Sequence, residues 1–198
     1  MKKNSYSVFA AALMVGGILQ IVAMVWNEFF HQEDLTKLDG AAGVEFISAI
    51  LIMLGLVGTF IFTYQKKGGI NTIVSFVAVF TGTLLYACLK WFEAFYEPIL
   101  KAYAPNFVES LPPQADTTMM IALVILFLTW IYYGISSIIA KVMPIPASIL
   151  AGVFPLLFFI PSPIFLSPLA WGVGVIWMSL SMLKANKQGV VQNMTLNG

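Results

Sequence analysis

The sequence predicts an all-α fold: a polytopic transmembrane helix bundle of about six spans with both termini in the cytoplasm. Three observations carry that expectation. Of 198 residues, 60% are hydrophobic and only 10% charged. The apolar residues fall into runs of the roughly 20 residues needed to cross a bilayer. The charged residues also sort by sign between the two sides that those runs define.

A soluble domain carries roughly a quarter charged residues and cannot hide this much apolar surface in one core. The mean hydropathy of +0.90 points to lipid as the solvent. At this length the chain reads as a single membrane domain, residues 1–198. A net charge of +1 excludes the basic stripe that nucleic acid requires, so no nucleic-acid partner is expected. All ten basic residues are lysine, which removes any bidentate guanidinium clamp. The single cysteine, Cys88, sits in an apolar run and reads as a small buried hydrophobe.

The first span is 8–26, with Gln20 as its only strongly polar member. Lys2 and Lys3 precede it as they would a signal peptide, but the run exceeds an h-region of about 7–15 residues and reads as a retained helix. The second span, 46–64, ends at Gln65-Lys66-Lys67-Gly68-Gly69, a short charged turn. Spans three and four are 70–89 and 117–140, the latter opened by a helix start at Asp116-Thr117-Thr118. From Val142 to Leu183 there is no charge, and six prolines cut its first part. Two spans are placed there, 147–160 and 167–183, with a turn at Pro161-Ser162-Pro163 and a kink at Pro155. A re-entrant pair is the alternative, allowed only where protein surrounds the irregular backbone.

On six spans, Lys2, Lys3, Lys66, Lys67, Lys141, Lys184 and Lys187 share one side, against Lys37, Lys90 and Lys101 on the other. All nine acids fall on the second side. The lysine excess marks the first side as cytoplasmic, which implies a multi-pass protein of the plasma membrane, the inner membrane in a bacterium.

Two outer segments then hold nearly all the polar chemistry, a loop at about 27–45 and a stretch at about 90–116 beginning with an amphipathic segment, 90–104. Placed on a helix, Lys90, Glu93, Glu97 and Lys101 fall on one side, with Trp91, Phe92, Phe95, Tyr96, Ile99, Leu100 and Tyr103 opposite. Pro98 predicts a bend, and the aromatics suit headgroup depth. Gly17, Leu19, Trp26, Glu28 and Phe30 match Gly82, Leu84, Trp91, Glu93 and Phe95 at a constant offset of 65 residues, as duplication of a helical hairpin would produce. If those two helix ends meet, Glu28, His31, Glu93 and Glu97, flanked by Trp26 and Trp91, ring an outward mouth. Small-xxx-small pairs (Ala12 with Gly16, Gly55 with Thr59, Ala78 with Gly82) and Gly172 with Gly174 predict close helix approach.

No nucleophile elbow, Walker loop, dinucleotide fingerprint or zinc spacing occurs, so no catalytic residue, cofactor or metal is expected. Gly16-Gly17-Ile18-Leu19, Trp91, Glu97-Pro98-Ile99-Leu100 and Ala104-Pro105 give a chain that resembles small multi-span membrane proteins of bacteria. The resemblance implies no activity or site residues. The expectation is a binding or accessory protein of the membrane, recognising a small ligand, a lipid or a membrane-protein partner. The alternative is a small transporter or channel component using the proline-broken region 142–168. A third reading is a membrane-embedded enzyme using the outer carboxylates.

Overall fold

The computed structural model describes residues 5–29, 39–104, 113–158 and 166–196. His31 and the turn at 161–163 lie outside the described residues. The chain forms α1 (Ser5–Phe29), α2 (Gly40–Lys67) and α3 (Ile70–Trp91). A π-helical turn (Phe92–Tyr96) leads from α3 into α4 (Glu97–Tyr103). Then come α5 (Pro113–Ala140), α6 (Ile145–Leu157) and α7 (Leu166–Leu196). There is no strand among the described residues.

Local chemistry sets several of these boundaries. Asp39 caps α2 by accepting from the Ala42 amide at 3.0 Å. Glu45 therefore lies in the second turn of α2 and not in a loop, a correction to the 27–45 segment. The segment after Trp91 stays helical through Tyr103. Pro98 has no N–H and its ring crowds the carbonyl four residues back, so the ladder slips just before it. The Glu97 amide donates to the Phe92 carbonyl, five residues back. At the other end of the bundle, Lys141 takes a left-handed φ of 55° to stop α5.

Five helices are long and apolar enough to cross a membrane: Tyr6–Phe29, Gly40–Lys67, Ile70–Tyr103, Thr117–Ala140 and Leu166–Ala185. α6 is apolar but has 13 residues, about 20 Å of helix against a hydrocarbon core of roughly 30 Å. The Phe154 carbonyl near its end accepts from Ser167 Oγ at 2.8 Å.

α1, α2, α3, α5, α6 and α7 close into a ring, each packed against the next and α7 against α1. Every contact in the ring is antiparallel. Ser48 Oγ donates to the Gly16 carbonyl at 2.8 Å while Gly55 and Gly58 meet Leu13 and Phe9, which joins α1 to α2. Asn71 Nδ2 donates to Ser136 Oγ at 2.8 Å, and Gly82 lies against Leu126 and Thr129, which joins α3 to α5. Gly134 lies on Gly152, Gly174 on Ala147 and Ala151, and Gly17 on Gly172. Ser179 Oγ donates to the Ala10 carbonyl at 2.6 Å and helps close the ring. These small residues let backbones approach closely, and interhelical packing and hydrogen bonds hold a bundle where the hydrophobic effect between helices is absent.

Trp130, fully buried, is the hub. Its indole N–H donates to Thr83 Oγ1 at 3.1 Å, and its ring meets Trp171 edge-on at 5.3 Å. Trp171 in turn stacks on Phe154 at 4.9 Å. Tyr133 donates to Thr59 Oγ1 at 2.9 Å below this layer. The outer surface is apolar as well, with Val77, Leu84, Trp91, Phe95, Leu128 and Ile139 exposed. Cys88 belongs to that surface, which corrects the expectation of a buried thiol. In a bundle apolar inside and out, apolar neighbours in sequence do not distinguish the two faces.

Candidate functional site

The ring does not close at the end that carries Glu28, Glu45, Lys90 and Glu93. A cavity of about 400 Å³ penetrates it there, and six helices and the π-helical turn contribute walls. Within the range of small-molecule sites, roughly 300–1,000 Å³, this volume suits one compact organic molecule.

Its two sides differ in chemistry. From α1, α2, α3 and the π turn come Gln20, Met24, Asn27, Glu28, Glu45, Tyr86, Leu89, Lys90 and Glu93. From α5, α6 and α7 come Met119, Leu123, Leu126, Phe127, Phe154, Phe158, Pro168 and Trp171, with Ser167 their single hydroxyl. Asn27 and Glu28 are exposed at the rim, whereas Gln20 and Trp171 are buried at the floor.

One hydrogen-bonded chain organises the polar side. Lys90 Nζ bridges Glu45 Oε2 at 2.8 Å and Glu93 Oε2 at 2.7 Å. The same Glu45 oxygen accepts from Tyr86 OH at 2.8 Å, and Gln20 Nε2 approaches Tyr86 OH at 3.4 Å. Ser48 Oγ lies 3.1 Å from Gln20 Oε1, tying the chain to the α1–α2 contact. Lys90 also stands 5.7 Å from the centroid of the Tyr86 ring. The sequence periodicity that put Lys90 and Glu93 on one face of a helix thus turns that face inward. Trp91, Phe95, Tyr96 and Ile99 are left exposed on the outside.

Glu28 and Glu93 both line the cavity. Glu28 has no ionic or hydrogen-bonding partner among the described residues. Glu97 is taken up by Lys101 at 2.7 Å and is not part of the wall. Trp26 and Trp91 lie outside the cavity and are 41% and 44% exposed, with Trp26 against Gly40. His31 falls outside the described residues. Gly17 packs on α7 and Gly82 on α5, so a rotation carrying α1 onto α3 does not superimpose the two contacts.

Sequence reasoning missed Glu45, Tyr86 and Lys90 as parts of one site, and it noted Gln20 as the polar member of its span without giving it a role. The available signal was Gln20 itself, since a polar side chain inside a span faces protein or a cavity. Trp171 is a further addition: its indole N–H is buried and without a partner among the described residues. Among the described residues no three His, Cys, Asp or Glu side chains converge to hold a metal ion. No known protein family, curated protein or solved structure matches this chain.

Proposed function

We propose that this is a six-span protein of the plasma membrane, both termini cytoplasmic, that binds a small organic ligand in a cavity open to the outer face. The observation that carries the reading is the 400 Å³ cavity, walled by a hydrogen-bonded ionic chain on one side and aromatic rings on the other. A structural role would be served equally well by a filled bundle. Wall residues from every long helix, and an indole N–H at the floor without a partner among the described residues, fit a site that a ligand completes. The orientation follows from Lys66, Lys67, Lys141 and Lys184 at the opposite end, the side enriched in lysine.

Transport is the second reading, and the wall composition favours it. The proline-broken segment supplies Phe154, Phe158, Ser167 and Pro168 to the wall, and proline-interrupted segments line the substrate sites of carriers. Beneath the Trp130 layer, Thr59, Thr72, Ser75, Tyr133, Ser136 and Ser137 surround a small second pocket between α2, α3 and α5. Movement of ligand from one to the other would require the Trp130–Thr83 contact to open.

The test is thermal unfolding of nanodisc-embedded protein against a library of small metabolites and lipid headgroups, wild type beside Leu123→Trp, which fills part of the cavity. A compound that raises the wild-type Tm and not the variant's supports the site. A library with no such compound, or one whose hits stabilise both proteins equally, refutes it.

A further inference from the structure

We infer that the ligand is an amphipathic organic cation, a proposal that rests on the cavity being a ligand site. The polar wall holds three carboxylates, Glu28, Glu45 and Glu93, against one ammonium, Lys90. Lys90 is clamped between Glu45 and Glu93 at 2.8 and 2.7 Å, so its charge is already spent on them. Among the described residues the wall keeps an excess of two negative charges, and Glu28 at the rim has no counter-ion. In a site partly screened from water, such an excess attracts a cation and repels an anion far more strongly than at a free surface.

The opposite wall says what the cation carries. Phe127, Phe154 and Trp171 present an aromatic surface that buries an apolar body, and ring faces are themselves favourable neighbours of a quaternary or protonated nitrogen. A bare inorganic cation is a poor fit, because no three acidic, His or Cys side chains converge among the described residues. The nitrogen therefore sits toward Glu28 and Glu93, and the apolar body lies against α5, α6 and α7.

The experiment compares two molecules of one shape. Benzyltrimethylammonium and its carbon isostere neopentylbenzene are titrated calorimetrically into protein in zwitterionic nanodiscs, with empty nanodiscs subtracted. The cation is expected to bind about tenfold or more tighter than the isostere, a gap of about 1.4 kcal/mol or more. Glu28→Gln, at an exposed position without a partner among the described residues, and Glu28→Gln/Glu93→Gln should narrow that gap stepwise. If the isostere binds as well as the cation and Leu123→Trp abolishes both, the cavity is a ligand site but the cation proposal is overturned. If neither probe binds, or Leu123→Trp changes nothing, the cavity reading falls with it.

Discussion

Replacing Lys90 by Met tests whether the ionic chain is a stressed, partly desolvated network or an ordinary surface bridge. The change keeps most of the side-chain volume and removes the cation that, among the described residues, holds Glu45 and Glu93. The Lys90 and Glu45 side chains are 22% and 13% exposed, and Glu45 also takes the Tyr86 hydroxyl at 2.8 Å. Stripping one partner from a fully buried pair costs about 3–5 kcal/mol, because the other charge is left uncompensated. Residual exposure here, and the 37% exposure of Glu93, lower the expectation to about 2–3 kcal/mol. The control is Lys101→Met, which breaks a bridge to Glu97 between side chains 25% and 32% exposed and should cost about 0.5 kcal/mol or less. Adding Glu45→Gln to Lys90→Met should return a large part of the loss, since no unpaired carboxylate then remains beside Tyr86. Reversible unfolding in mixed micelles, run as a double-mutant cycle, measures each term. Equal costs for Lys90→Met and Lys101→Met, or no recovery in the double variant, would refute the reasoning.

Two further outcomes follow from packing. Gly134→Ala would place its Cβ 2.8 Å from the Gly152 Cα, backbone against backbone, and should cost about 1–3 kcal/mol as α5 and α6 separate. Gly43→Ala meets nothing within 4 Å and should be neutral or stabilising by up to about 1 kcal/mol; the same unfolding assay distinguishes them. A nitroxide on Cys88, the single cysteine, should collide readily with oxygen and poorly with a water-soluble nickel chelate, because that position faces outward from the bundle. The reverse pattern would turn α3 around.

Much of the architecture was legible because its cause is one-dimensional. Lipid demands long apolar runs and internally satisfied backbone, so helix positions follow from run length, and the end of α2 follows from Gln65-Lys66-Lys67, whereas α5 begins at Pro113, ahead of the start expected at Asp116-Thr117-Thr118. What was not legible is which way each helix turns. In water, an apolar stripe marks the buried face, but here Leu84, Cys88 and Trp91 are apolar and exposed while Ser48, Thr83 and Ser179 are polar and buried. Small hydroxyl residues, satisfied by a carbonyl of their own helix or of its neighbour, mark the interior more reliably than leucine. Glu45 escaped as a site residue because, directly before the apolar run that opens at Phe46, it counted as the end of a loop, whereas the Asp39 cap starts α2 early enough to bring it inward. Glu93 was legible, since helical spacing from Lys90 survives even the π turn. Glu97 was placed in the same group by the same periodicity, but Lys101 takes it up one turn further on.

The cavity's opening to water on the outer face is tested most directly by cysteine accessibility in intact cells. In a Cys88→Ser background, Leu123→Cys lies on the cavity wall and Leu128→Cys on the exposed outer surface, where Leu128 is 61% exposed. Membrane-impermeant thiosulfonates of either charge are added from outside. The structure predicts that Cys at 123 reacts, faster with the cationic reagent than with the anionic one, and that Cys at 128 stays unmodified. An unreactive 123, or equal reaction at both positions, would contradict the account.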